Sequence, residues 1–139
     1  MLSRIPHRNQ SPYGWWVTTY VLRACWDGDC NLDELEQTLV WKNTIILQAP
    51  DRDAAYTKAV ELGSADCGEF WDEAEPSRTG RWVFEGLTML LPIYEELCDG
   101  AEILWEEHHD VPISTIRSCV KSRSELEVFN DVHSSGDRA

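Results

Sequence analysis

The stretch GWWVTTYVLRACW, residues 14–26, decides the fold that the sequence predicts. It is rich in β-branched and aromatic residues, and it contains no proline. Large apolar side chains fall on both parities of the run, with Trp16 and Tyr20 on one and Val17 on the other. Since successive side chains of a strand point to opposite faces of a sheet, this pattern predicts a strand that is partly buried on both faces.

A second strand is predicted in TLVWKNTIILQA, residues 38–49. Apolar residues such as Trp41 and Ile45 share one parity there, and polar residues such as Lys42 share the other. This alternation is typical of a strand with one buried face. Because a polar stretch joins the two predicted strands, we expect them to form a hairpin.

The clearest helical pattern follows in APDRDAAYTKAVELGSAD, residues 49–66, where small and apolar residues recur at helical spacing. Asp51 or Asp53 is the expected N-cap, because a short carboxylate satisfies the free backbone N–H groups of the first turn. Gly63 is the expected stop, since glycine tolerates the left-handed conformation that ends many helices.

Three further strands are predicted after this helix. The weakest lies in CGEFW, residues 67–71, and the strongest in RWVFEGLTMLL, residues 81–91. Pro92 marks a bend or a sheet edge at the end of the strong strand, because proline has no N–H to donate to a ladder.

The Asp99-Gly100 pair is the strongest hairpin signal of the chain, so AEILWEEHH, residues 101–109, is the expected return strand. After Pro112, we expect Ser114 to cap a short helix that runs to about Val120.

The order of these elements lacks a regular alternation of strand and helix and therefore predicts the α+β class. We expect a single-layer antiparallel sheet of four to five strands, with one main helix packed on one face and a short C-terminal helix. Residues 1–12 are expected to be a flexible N-terminal arm, residues 13–129 a single domain, and residues 130–139 a disordered tail.

The middle of the chain resembles a known family. The likeness is carried by GWWVTTYVLRA, VWKNTIILQAPDRDAAYTKAVELG and RWVFEGLTMLLPIYEELCDGAEILW, within about residues 13–107. These motifs are similar to those of a small bacterial family catalogued as domain of unknown function 4288. The resemblance implies a compact α+β domain in a bacterial cytoplasm, and it carries over no catalytic residue.

The composition restricts the class of partner. The chain has 139 residues and a formal net charge of −13, from 25 acidic and 12 basic residues. Such a surface repels nucleic-acid phosphates and attracts basic proteins, so we expect a basic protein partner and no nucleic acid. No apolar run approaches membrane-spanning length, so no membrane association is expected either.

The cysteines indicate a reducing compartment. There are five, an odd number, and none forms a Cys-x-x-Cys pair, which argues against a zinc ribbon or a thioredoxin-type motif. We expect a cytoplasmic protein with reduced thiols and no cofactor. Cys25 precedes an acidic stretch and Cys30 lies within it, and a disulfide between them stays open as an alternative.

That acidic stretch, DGDCNLDELE at residues 27–36, has the alternating oxygen ligands with which a calcium loop begins. The sixth position is Leu32, where the tight turn of such a loop needs glycine, and the twelfth is Thr38, where it needs a bidentate glutamate. We therefore interpret the stretch as the acidic tip of the first hairpin.

A divalent-metal site is the second possibility that the sequence raises. In EEHHD, alternate residues would share one face of a strand, which would bring together Glu106, His108 and Asp110. The thiols, such as Cys25, and the histidines form no local signature of nucleophilic catalysis, and no phosphate-binding loop is present. We therefore expect binding and not catalysis.

Aromatic residues next to acids supply the candidate binding surface. Trp26, Trp71 and Trp105 each stand beside an acidic residue, and tryptophan anchors flanked by steering charges are typical of protein interfaces. The alternative is that these rings belong to the core. The candidate partner-binding residues are Asp27, Asp29, Asp33, Glu36, Trp71 and Asp72.

The function that follows is protein–protein interaction by a small acidic domain, in one version an immunity or antitoxin-like inhibitor of a basic partner. A small-molecule or divalent-metal-binding module is the alternative. A homodimer through an edge strand, such as the one near Pro92, also stays open.

Overall fold

The computed structural model describes residues 4–26, 37–71, 74–75 and 77–132. The chain divides into two compact units, Met1–Trp105 and Glu106–Ala139. The larger unit contains β1 (Trp15–Trp26), β2 (Val40–Gln48), α1 (Arg52–Ala65), β3 (Glu69–Trp71), β4 (Thr79–Pro92) and a 3-10 turn at His7–Asn9. The smaller unit contains α2 (Ile113–Cys119) and two 3-10 turns, Arg123–Glu125 and Glu127–Phe129.

The four strands form one antiparallel sheet in the order β2-β1-β4-β3. This arrangement confirms the α+β class and the antiparallel sheet that the sequence predicts. The strand β1 is central, and its predicted burial on both faces is also confirmed, because Trp16 and Val17 are both buried. The first hairpin pairs as expected, with Trp16 opposite Leu47 and Leu22 opposite Trp41.

The ladder between β1 and β4 contains two irregularities. The pairing passes from Thr19↔Met89 to Tyr20↔Leu87 and from Val21↔Gly86 to Leu22↔Phe84, so β4 has one extra residue at each shift. Gly86 lies between the two bulges with a φ of 146°, which a residue with a side chain rarely adopts.

The main core forms where α1 packs on the Trp16 face of the sheet. Its buried residues are Trp16, Leu47, Ala49, Ala55 and Ala59. The two helix alanines are completely buried, and their short side chains let the helix approach the sheet closely. The Trp16 indole N–H donates to the Ala49 carbonyl over 3.0 Å, so this buried polar group has a partner.

An aromatic cluster extends the same face toward the Trp26 end of β1. Its ring centroids lie 4.4 Å apart for Trp41 and Trp82, 4.7 Å for Phe70 and Trp82, and 4.9 Å for Trp26 and Phe70. The Arg78 guanidinium lies 4.0 Å from the centre of the Trp26 ring. Trp26 is therefore a half-buried core residue, as the alternative interpretation of the tryptophans holds.

Two of the helix-end predictions have different outcomes. The Asp51 carboxylate accepts from the Ala54 N–H over 2.8 Å and is the N-cap, one of the two predicted candidates. The expected stop at Gly63 is wrong, since α1 continues to Ala65. Gly63 is needed for packing: a Cβ there would lie 2.5 Å from the Phe84 ring and 3.2 Å from Tyr20 Cγ.

The expected return strand over residues 101–109 is also wrong. Asp99-Gly100 does turn the chain, because Gly100 has a φ of 84° and the Ala101 N–H donates to the Cys98 carbonyl. The Glu102 N–H then donates to the Glu95 carboxylate and not to a ladder, and residues 101–109 form no strand.

The short C-terminal helix is confirmed, but its predicted cap is not. Pro112 takes the N-cap position, and Ser114 lies inside α2. Proline suits the start of a helix because the first turn has no use for its missing N–H. Within the described ranges, no helix is long and apolar enough to cross a membrane.

The cysteines depart from the expectation of reduced thiols at one position. Cys67, Cys98 and Cys119 are free and exposed. Cys25 is buried in β1 and disulfide-bonded, and Cys30 lies outside the described residues.

A hydrogen bond joins the end of α1 to the sheet. The Tyr20 hydroxyl donates to Asp66 Oδ2 over 2.8 Å, and the Asn43 amide donates to the same oxygen over 3.2 Å. Burial raises the pKa of Tyr20 above its ordinary value of 10.0, and the hydrogen bond to Asp66 raises it further, against a lowering by Asn43.

We predict that Gly63→Ala destabilises the protein by about 1–3 kcal/mol, although alanine is the better helix former, because overpacking against Phe84 outweighs helix propensity. Urea unfolding measures the change. Gly68→Ala is the control, since a Cβ at Gly68 meets nothing within 4 Å. Equal stability of the two variants would contradict the close contact.

We also predict a loss of stability in alkali that depends on Tyr20. A phenol whose pKa is raised by folding contributes stability fully below its unfolded pKa, and the contribution disappears as the pH rises through the folded pKa. Denaturant unfolding between about pH 9 and pH 12 should therefore show a smaller decline for Tyr20→Phe than for the wild type. Exposed Tyr56 supplies the control Tyr56→Phe, which should decline as the wild type does.

Candidate partner-binding pocket

The segment that follows β4 is fastened to the start of the fold. Ile93 is buried, its N–H donates to the Trp15 carbonyl over 2.9 Å, and its carbonyl accepts from Ser11 Oγ over 2.8 Å. The Tyr94 hydroxyl donates to the Arg8 carbonyl. These bonds hold the beginning of the segment against the N-terminal part of the chain.

The rest of the segment folds back on itself. The turn at Gly100 reverses the chain, and the bond from the Glu102 N–H to the Glu95 carboxylate closes the loop. The return brings residues 103–105 to the end of β4, where the sequence predicts a strand and the structure has an irregular segment instead.

A mainly apolar pocket lies between the two limbs of this loop, and we call it the Leu91 pocket. Its volume is about 190 Å³, below the roughly 300–1,000 Å³ of typical small-molecule sites. It therefore has room for one large side chain more readily than for a ligand of drug size. The lining residues are Leu91, Pro92, Ile93, Tyr94, Glu95, Glu102, Ile103, Leu104 and Trp105.

Several apolar side chains of this pocket remain in contact with solvent. The exposed fraction is 40% for Leu91, 44% for Ile103, 41% for Leu104 and 55% for Trp105. Leu90 packs toward α1, and successive side chains of a strand point to opposite faces. Leu91, which pairs with Val17, therefore lies on the face of the sheet opposite α1. Clustered exposed apolar groups of this kind mark interaction sites more often than isolated ones do.

The charged residues of the loop that forms the Leu91 pocket are all acidic. The lining includes the carboxylates of Glu95 and Glu102, and Glu96 and Asp99 belong to the same loop. The sequence from Leu91 to Trp105 contains no lysine or arginine. The local field therefore favours a cationic ligand at the rim of an apolar pocket.

Of the sequence-predicted partner residues, the structure describes Trp71 alone. Asp27, Asp29, Asp33, Glu36 and Asp72 lie outside the described residues. Trp71 ends the edge strand β3 opposite Thr79, and 68% of its surface is exposed. The structure thus places Trp71 at the surface.

The histidines of the predicted metal site each contact the glutamate two residues before them. His108 Nε2 lies 3.2 Å from Glu106 Oε2, and His109 Nε2 lies 3.4 Å from Glu107 Oε2. Asp110 follows with a φ of 56°. In the described part of the chain, no group of three or more His, Cys, Asp or Glu side chains is arranged to hold a metal ion, so a site at Glu106, His108 and Asp110 stays a prediction.

Sequence reasoning named Trp105 among the candidate anchors but missed Leu91, Ile103 and Leu104. The available signal was the run Ile103-Leu104-Trp105, in which three large apolar residues follow one another without alternation. Such a run fits poorly on a strand with one solvent-facing side.

The comparisons with known proteins support the fold family and give no activity. A family model described as "Domain of unknown function (DUF4288)" matches residues 15–105, more than half of the chain. The match ends at the boundary of the larger unit and includes the whole Leu91 pocket. No curated protein and no solved structure matches the chain.

We predict that buried Ile93 and half-exposed Ile103, two residues of the Leu91 pocket, contribute unequally to the free energy of unfolding. Ile93→Ala should destabilise the protein by about 2–5 kcal/mol, because a buried side chain is removed. Ile103→Ala should change the free energy of unfolding by less than about 1 kcal/mol, because much of that side chain is exposed. Urea unfolding of both variants checks this, and equal losses would mean that residue 103 belongs to the core.

Proposed function

The chain belongs to the family described as Domain of unknown function (DUF4288), and we propose that its larger unit is a binding domain for a basic protein segment. The occupant of the Leu91 pocket is one large apolar side chain of that partner, with lysine or arginine beside it. The observation that carries this proposal is the combination of an apolar pocket with an exclusively acidic loop around it.

The size of the pocket favours a protein over a small molecule. A volume of about 190 Å³ holds a single anchor side chain, and buried anchors in small pockets dominate the binding energy of many interfaces. Leu91, Ile103 and Leu104 supply the apolar walls, and Trp105 supplies a large aromatic edge.

The carboxylates act mainly on specificity and on the rate of encounter. Glu95 and Glu102 lie at the pocket itself, and the net charge of −13 extends the attraction beyond it. A partner with basic residues around an apolar anchor satisfies both features. An immunity or antitoxin-like inhibitor that covers a basic site, acting in the cytoplasm, is the specific form of this proposal.

The test uses paired variants as baits. Wild type, Leu104→Asp and Leu62→Asp are immobilised, and basic proteins retained from the source cell at low salt are quantified and then purified for a binary titration. Leu104 and the helix residue Leu62 have nearly equal exposed fractions, 41% and 40%. A charge in the pocket should weaken binding by at least about tenfold, and the same charge on α1 should leave it unchanged.

The rim charges are tested in the same titration. Glu102→Gln should weaken binding by roughly two- to fivefold at low salt and reduce its salt dependence, whereas Glu61→Gln on α1 should do neither. A purified partner that binds Leu104→Asp as tightly as wild type would contradict the proposal, as would a partner without a basic surface.

A further inference from the structure

The strand β2 forms one edge of the sheet and is regular along its whole length. Its nine residues pair with β1 without any register shift, from Arg23↔Val40 to Trp15↔Gln48. The outer side of β4, which the three-residue β3 covers only at its start, has two bulges and ends in Pro92. Bulges and proline hinder the addition of a strand, so β2 is the edge better suited to pairing.

The register with β1 identifies the backbone groups of β2 that face outward. The Ala24 N–H donates to the Leu39 carbonyl, and the Ala49 N–H donates to the Gly14 carbonyl. Because hydrogen-bonded pairs alternate with non-hydrogen-bonded pairs in an antiparallel ladder, odd-numbered residues of β2 bond to β1. The even-numbered residues therefore direct their N–H and C=O groups away from the sheet. These residues are Val40, Lys42, Thr44, Ile46 and Gln48.

The outward stretch ends at Gln48, whose carbonyl accepts from Lys58 Nζ over 2.9 Å. Four residues, from Val40 to Ile46 in steps of two, remain as a row of outward donors and acceptors. Val40 and Ile46 are 48% and 43% exposed, so the two ends of this row carry apolar side chains at the surface.

The charge of β2 differs from that of the rest of the chain. Residues Val40–Gln48 contain no acidic residue and one lysine, Lys42. In a chain with a net charge of −13, this is an edge where a second acidic copy can approach without placing carboxylates opposite each other.

We propose that a second copy of this chain pairs with β2 in antiparallel fashion, about a two-fold axis at Asn43. In this register Val40 lies opposite the partner subunit's Ile46, and Lys42 lies opposite the partner subunit's Thr44. Even-numbered residues then face even-numbered residues, so the outward N–H and C=O groups of both copies bond to each other. The apolar ends pair with each other, and no two lysines are directly opposite.

The experiment compares two double variants that share one substitution. Val40→Lys/Ile46→Lys places like charges opposite each other at both ends of the interface, whereas Val40→Lys/Ile46→Glu places opposite charges there. Sedimentation velocity of wild type and both variants, from about 1 µM to about 1 mM, measures the dimer dissociation constant. Circular dichroism verifies that all three chains are folded, as the exposure of both positions leads us to expect.

We expect the wild type to reach twice its monomer mass of 16.0 kDa with rising concentration. The Lys/Lys variant should weaken the dimer at least tenfold, although it makes the chain less acidic, and the Lys/Glu variant should return to within about threefold of the wild type. Leu62→Lys, a charge on α1, should leave the dimer unchanged.

A wild type that remains monomeric at all concentrations overturns the proposal. A dimer that persists in the Lys/Lys variant, or one that the Lys/Glu variant fails to restore, shows that the copies meet elsewhere or in another register. The proposal is independent of the basic partner, because neither variant changes the Leu91 pocket and the test needs no partner.

Discussion

The close contact between α1 and the sheet is the interaction on which the rest of the structure depends. It requires three helix positions without bulky side chains, Ala55, Ala59 and Gly63, which lie on Trp16, Tyr20 and the Phe84 ring. The contact closes one face of β1, and Asp51 and Asp66 secure the two ends of the helix. In the described part of the larger unit no second α-helix covers the opposite face, which keeps exposed apolar residues such as Ile46 and Leu91.

The elements that the sequence predicts well are those whose periodicity is long and consistent with their turns. β1, β2, α1 and β4 each contain nine or more residues, although two bulges interrupt the alternation in β4. The role of Gly63 could not be predicted, because it depends on a ring more than twenty residues away. The prediction of a return strand at residues 101–109 is wrong for a related reason. The Asp99-Gly100 signal predicts the turn correctly, but the residues after a turn form a strand only when a neighbouring strand is available for pairing.

The candidate site was only partly predictable. Acidity and tryptophan content can be read from the composition, and Trp105 is a candidate anchor because it stands next to Glu106 in the sequence. The pocket itself arises because the Glu102 N–H bonds to the Glu95 side chain and returns the chain to Leu91. That contact joins a backbone group to a flexible carboxylate, and no sequence period encodes it. The two proposed surfaces lie on strands either side of β1, so a dimer through β2 would present two pockets and gain avidity for a repeated partner.

The two bulges in β4 also restrict how its length can change. Each extra residue changes which residue numbers, odd or even, lie on the α1 side of the sheet. Trp82 and Leu90 lie on that side with even numbers, and Leu87, between the two bulges, lies on it with an odd number. A relative that lacked one of the two extra residues would have a regular ladder at that point, with every remaining side chain of β4 on its present face. Single-residue insertions and deletions in β4 should therefore fall at the two bulges, between Phe84 and Met89, because a lone gap in the regular part of the strand would move one end of it to the opposite face.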